Sequence, residues 1–353
     1  MKEKQKSKYS WPLIGNQKNI DFLTRSLEND KLSSAYIFSG PDNMGKTKLA
    51  QHFSQILLCS QKATLSSQKP CCKCPSCKSF ISSKEDEELD METARQDFYV
   101  LKKEKDKKNI SIEQVRDLIY SLSMSSFSDS YKIGIIKHAD TLSEEASNAL
   151  LKLLEEPKKK VIIILISSKL EKMLETIRSR CQVLEFSSVS TDDINKYLLE
   201  NYKVTRSAAK NYSRISLGRP ALALKLLEDK EFYESYLSRL ELLLDVLESN
   251  DLNEKFSKIE NVIDKKLSSQ ESVAILKRLL ETLQGLFRDL YLINYGLNDL
   301  VQNEIVDQRL KKSQIKNDIK KILNLLDEIE KSAGYIDANL SPKLILENIT
   351  LSI

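Results

Sequence analysis

The chain has 353 residues, 41% hydrophobic and 30% charged, a composition of soluble globular proteins that excludes disordered and fibrous chains. Its length predicts two or three compact units, and 8 glycines and 7 prolines favour long helices over many tight β-turns. A net charge of +4 is too weak a field to argue for nucleic-acid binding by itself.

Met1 to Tyr9 is lysine-rich without a following apolar stretch, and the longest aliphatic run, Val161 to Ile166, is far short of a membrane span. The expectation is a cytoplasmic protein. Residues 17 to 30 read as a helix, Ala35 to Ser39 as a short strand leading into a glycine-containing loop, and Lys46 to Leu58 as a second helix. Beyond a cysteine cluster and a polar stretch rich in Glu and Lys, Asp97 to Lys102 reads as a second strand. Ser111-Ile-Glu-Gln114 then opens a helix with the spacing of a capping box. Tyr131 to Ile136 is a third strand, residues 143 to 156 a helix ended by Pro157, Val161 to Ile166 a fourth strand and Gln182 to Phe186 a fifth. This alternation predicts a parallel α/β sheet covered by helices.

After Ser187 the strands stop. Short helices run from about Thr191 to Leu227, interrupted at Gly218-Arg-Pro220, and the rest is helical. Leu276, Leu279, Leu283, Leu286 and Leu290 form one apolar face; Ile315, Ile319, Ile322, Leu326 and Ile329 form another. Such faces suit the protein's own core or a neighbouring subunit. No internal repeat is present.

Gly40-Pro-Asp-Asn-Met-Gly45-Lys46-Thr47 fits the P-loop pattern, in which backbone N–H groups cradle phosphates, the lysine reaches the β and γ positions and the threonine hydroxyl ligates magnesium. The strand before it and the helix after it aim a helix N-terminus at the phosphate. ATP with Mg²⁺ is therefore a candidate ligand, the alternative being a relict loop that folds without one. Hydrolysis needs more, because an active P-loop ATPase places an Asp at the end of a neighbouring strand to hold Mg²⁺, with a second acid beside it. Here the third strand ends in Lys137-His138-Ala139-Asp140. An ammonium at the metal site repels the ion, so hydrolysis is not expected. Asp140 lies past the strand end and reads as a cap for the helix or turn that follows.

Cys71, Cys74 and Cys77 follow one another at CxxC spacing, and Cys59 closes the preceding helix, so four thiolates are offered to one ion. Tetrahedral zinc with all positions filled by protein, hence structural, is the expected occupant. Cys72 is left over, or takes the place of Cys71. Iron–sulfur and a DNA-binding zinc ribbon are alternatives, but Lys69, Lys73 and Lys78 with Phe80 are too few for a base-stacking platform.

Together these segments resemble the bacterial clamp-loader AAA+ family, the gamma/tau and delta-prime subunits of DNA polymerase III. The resemblance is carried by Leu13-Ile-Gly-Asn-Gln17, Ala35 to Gly40 with the P-loop, the four-cysteine insertion, Ile110 to Arg116, Ala146 to Pro157, Ser179-Arg180-Cys181 and Asn339 to Glu347. It implies a RecA-like nucleotide domain over residues 1–187 with a zinc insertion at 59–77, a helical lid at 188–228, and an all-α collar at 229–353 through which five subunits assemble. It further implies gamma/tau and delta subunits, the sliding clamp and primed-template DNA as partners. Arg180 would then be an arginine finger acting in trans on a neighbour's ATP; taken alone, the residue reads as a surface ion pair. Where the gamma-type motor has Asp-Glu this chain has Lys137-His138, and where the motor's lid has an arginine it has Ala221, with Arg219 turned away. These departures point to the delta-prime type. An active gamma-type ATPase is the runner-up, and a stand-alone zinc-dependent nucleic-acid-binding module a third reading.

Overall fold

The computed structural model describes residues 8–353 except 62, 65–67, 82–96, 105–106, 125–129, 250, 261–268, 304–308, 310–317 and 339. The chain divides into two compact units, Met1–Asp193 with Arg219–Ala221, and Ile194–Gly218 with Leu222–Ile353.

The first unit is built on five parallel strands: β1 (Ala35–Ser39), β2 (Phe98–Leu101), β3 (Lys132–Ile136), β4 (Val161–Ser167) and β5 (Gln182–Glu185), in the order β2-β3-β4-β1-β5. β1 pairs with β4 in the register Ala35↔Ile163 and with β5 in the register Tyr36↔Gln182. Every residue of β1, β3 and β4 is buried, as an internal parallel sheet requires, and this is why they appear as continuous apolar runs. Lys132 is the charged exception, and its ammonium reaches the Ser121 carbonyl at 3.0 Å. The expected strands are present, each within a residue or so of its predicted ends.

Helices α1 (Gln17–Glu28), α2 (Lys46–Leu58), α3 (Pro75–Ile81), α4 (Ile112–Ser123), α5 (Glu144–Glu155) and α6 (Glu175–Arg178) complete this unit. Ser111 and Gln114 form the anticipated capping box at the start of α4. Ser143 caps α5 by accepting the Ala146 N–H at 3.1 Å. Asp140 therefore does not cap that helix. It lies in a short 3₁₀ turn, Ala139–Thr141, and its Oδ1 accepts the Ser168 N–H at 3.2 Å.

The second unit is helical among the described residues. Its helices are α7 (Thr191–Asn201), α8 (Arg206–Ile215), α9 (Pro220–Glu228), α10 (Lys230–Glu248), α11 (Leu252–Glu260), α12 (Ser269–Asn294), α13 (Ile319–Asp337) and α14 (Pro342–Ser352), of which α7 and α9 start in the first unit. The predicted leucine face of α12 is wholly internal, from Leu276 to Leu290. On α13 the buried face centres on Ile322, Leu325 and Ile329, with Leu326 only partly covered; Ile315 and Asn339 lie outside the described residues. Buried Asp289 accepts the backbone N–H groups of Gln302 and Asn303 at 2.8 and 3.0 Å and the Asn303 side-chain amide at 2.8 Å. Burial pushes its carboxyl above the usual range while these donors pull it back. No helix among the described residues is long and apolar enough to cross a membrane.

Candidate nucleotide and metal sites

The carboxyl ends of the strands share one edge of the sheet, where ligands of open parallel sheets bind. β1 runs there into Gly40, whose N–H donates to the Ser167 carbonyl of β4 at 3.3 Å. Gly40 has φ +140° and Gly45, the N-cap of α2, has φ +86°, conformations that favour glycine. A Cβ at Gly40 would run into the Phe186 carbonyl. These two positions let the loop turn back and aim the first N–H groups of α2 into its concave side. Lys46 is buried, and its ammonium donates to the carbonyls of Gly40 and, at 2.6 Å, Pro41. Burial holds its pKa below the ordinary lysine value; the carboxylates of Asp42 and Asp140 act in the opposite sense. Gly40 and Gly45 of the loop and Lys46 and Thr47 at the start of α2 are thus brought together at the end of β1.

The end of β3 faces the same edge. Lys137 donates its N–H to Leu101 at 2.9 Å, closing the ladder to β2, and His138 follows in a left-handed conformation with φ +54°. Beyond this strand end the 3₁₀ turn folds Asp140 back toward Ser168, and its charge acts on Lys46 after that of Asp42 in the loop itself.

Cys59 is the C-cap residue of α2, so one helix carries the P-loop at its start and a thiol of the cysteine cluster at its end. The sulfur atoms of Cys59, Cys71, Cys74 and Cys77 all lie within 4.8 Å of one another, with Cys71 and Cys77 3.9 Å apart. A tetrahedral ion with metal–sulfur bonds of about 2.3 Å has sulfur–sulfur edges of about 3.8 Å, so the four thiols could hold a metal ion. Cys72 is exposed at φ +55° and faces the Pro70 carbonyl. The amides of Cys74 and Cys77 donate to the sulfurs of Cys71 and Cys74. Burial works against ionisation of Cys74, but hydrogen bonds from Cys77 and Ser60 outweigh it and bring the thiol down to about 6. Cys77 moves up instead, through burial and then through the Cys74 sulfur beside it.

Arg180 lies outside both sites. Its neighbour Cys181 turns inward against the apolar core, where burial pushes the thiol up to about 12 and keeps it neutral. Arg180 points outward, 38% exposed, and forms an ion pair with Glu155 at 2.9 Å.

Residues 15–190 match the family described as DNA polymerase III, delta subunit. The delta-prime subunit of DNA polymerase III from Bacillus subtilis is 25% identical over 332 residues, 94% of each chain. Its counterpart from Pseudomonas aeruginosa is 33% identical over 147 residues, 42% of this chain and 41% of that one. The tau subunit from Bacillus subtilis is 26% identical over 350 residues, 95% of this chain and 59% of the longer relative. The chain belongs to the family of DNA polymerase III delta-prime and tau/gamma subunits.

The span matched by the delta-subunit family contains the P-loop, the cysteine cluster, the Lys137 segment and Arg180. It starts within the Leu13 to Gln17 segment, just after an N-terminal strap around Ser10 and Trp11 that the sequence motifs did not include. Ser10 and Lys69 pair through their backbones at 3.0 Å, which ties the strap to the segment before the cysteines. Trp11 donates to Thr24 at 2.9 Å and stacks on Phe53, while His52 bonds the Ser10 carbonyl at 2.7 Å. Leu13 then lies against Gly45, where an added Cβ would come within 2.9 Å of its methyl group. The lone Trp11, unusual in so polar a stretch, was the available signal.

Proposed function

We propose that the chain is a delta-prime-type clamp-loader subunit: a member of an ATP-driven complex that places a sliding clamp on primed DNA, and not itself the motor. The observation that carries this reading is the pairing of a well-formed P-loop with a β3 end that bears Lys137 and His138 instead of acids. In this reading residues 1–187 are a RecA-like AAA+ domain, 188–228 a helical lid and 229–353 a helical collar. The family likeness to delta-prime, tau and gamma subunits supports gamma/tau and delta subunits as partners, with the clamp and primed DNA reached through the complex.

The backbone of Gly40 to Gly45, with Lys46 and Thr47, would hold ATP and its Mg²⁺. The bound nucleotide would supply phosphate charge for Lys46 to meet in place of its own loop carbonyls. Lys137 puts a positive charge where a motor has its metal-holding acid, and Asp140 is engaged by the Ser168 N–H, so neither serves hydrolysis. Arg180 would act instead on ATP held by a neighbouring subunit, and Cys59, Cys71, Cys74 and Cys77 would hold a structural zinc ion. The protein would work in the cytoplasm.

The test is equilibrium nucleotide binding and steady-state turnover by the isolated chain. It should bind ATP in a manner weakened by Lys46→Ala and show no Lys46-dependent hydrolysis. A motor-like turnover rate abolished by Lys46→Ala would make this a gamma-type ATPase and overturn the proposal.

A further inference from the structure

Arg180 is held by its own chain from one side. Nη1 donates to the Thr176 carbonyl at 3.0 Å and to Ser179 Oγ at 3.3 Å, and Nη2 pairs with Glu155 Oε1 at 2.9 Å. Of the five donors of a guanidinium, these contacts leave Nε–H and the second Nη2 hydrogen for another anion. Cys181 anchors the next position in the core, so the backbone cannot swing the arginine inward.

Glu155 is the last residue of α5, where the negative end of the helix dipole disfavours a carboxylate. Lys152, one turn earlier, is the charge that this end prefers. Glu155 thus runs against its local setting and finds compensation across the fold at Arg180. The pair is 38% and 50% exposed, so it adds little to folding. Its consequence is geometric: it selects one arrangement for a side chain with four free torsions.

We propose that Glu155 is a positioning residue that pre-orients Arg180 toward the phosphate of a nucleotide held by an adjacent subunit. The proposal rests on the reading of Arg180 as a trans-acting finger. A single carboxylate oxygen on Nη2 leaves the remaining donors of the fork aimed at the anion, and a pre-oriented arginine loses less freedom when the transition state forms. The effect therefore belongs to turnover more than to ATP binding.

The test uses complexes reconstituted with gamma and delta subunits and carrying Glu155→Gln, Glu155→Ala, Arg180→Ala or the Glu155→Ala/Arg180→Ala pair, with assembly checked by size. Glu155→Ala should lower kcat for clamp- and DNA-stimulated ATP hydrolysis on the order of 3- to 10-fold with little change in KM, while Glu155→Gln, which keeps an acceptor, retains most activity. The double variant should match Arg180→Ala alone. A slow Arg180→Ala complex beside a Glu155→Ala complex at the wild-type rate would overturn the positioning role and leave the finger standing. So would a Glu155→Ala loss that persists undiminished when Arg180 is absent, or a faster Glu155→Ala complex. Wild-type rates for Arg180→Ala would overturn the finger reading and the proposal with it.

Discussion

Cys71 and Cys72 are adjacent, and the backbone chooses between them: the left-handed turn at Cys72 sends its sulfur toward Pro70, while Cys71 faces Cys77. Cys72→Ser should therefore keep the metal and Cys71→Ser should lose it, as metal analysis of purified protein would show; the reverse pattern would shift the ligand set by one residue. Acid should also release the ion. Cys59 and Cys77 are raised by burial, so they carry protons at neutral pH that an incoming ion must displace. Because both thiols are raised above the ordinary value, metal affinity should fall continuously as pH is lowered from the alkaline side through neutrality, with more than one proton taken up per ion released. The thiols and the P-loop were legible because their chemistry depends on spacing along the chain. Asp140 was not: an aspartate before a helix looks like a cap, but Ser143 stands immediately before α5 and takes that role. Glu155 was equally hidden, since its partner is brought to it only by the packing of α5 beside α6.

Among the elements, the capping box at Ser111 was readable in four letters, and both of its reciprocal bonds are present, at 3.1 and 3.5 Å. Gln114 also donates to the Lys102 carbonyl at 3.3 Å, so the box links the start of α4 to the end of β2. Ser111→Ala should destabilise the protein by about 1 kcal/mol, measured as a shift in the chemical-denaturation midpoint at constant slope. Phe287, fully buried on α12, should be far less tolerant: Phe287→Ala opens a cavity in the helical core and should cost about 3–5 kcal/mol. A loss below about 1 kcal/mol would mean that this core is not packed around Phe287. β1, β3 and β4 were legible because a strand buried on both faces needs a nearly unbroken apolar run. The face of α13 was only partly so. Leu325 and Leu326 are neighbours, about 100° apart on a helix, and periodicity alone could not tell that the core lies on the side of Leu325.

For the whole molecule, five strands in alternation with helices announced a parallel sheet, but the order β2-β3-β4-β1-β5 was not written in any one segment. It comes from which strand edges pair, and it is what puts the P-loop after β1 beside the β4 end that Asp140 grips. The same arrangement separates the functions proposed for this chain. The P-loop and the cysteine cluster sit at opposite ends of α2, and Arg180 projects from the segment before β5. Membership of the delta-prime and tau/gamma family, without a motor's acids at Lys137 and His138, makes assembly with partner subunits the proposed role of this chain. It is tested most directly by mixing the folded chain with purified gamma and delta subunits and weighing the products by native mass spectrometry. One stable complex that contains this chain together with both partners is the expected product. A chain that is folded by circular dichroism yet stays apart from them, while gamma and delta associate with each other, would contradict it.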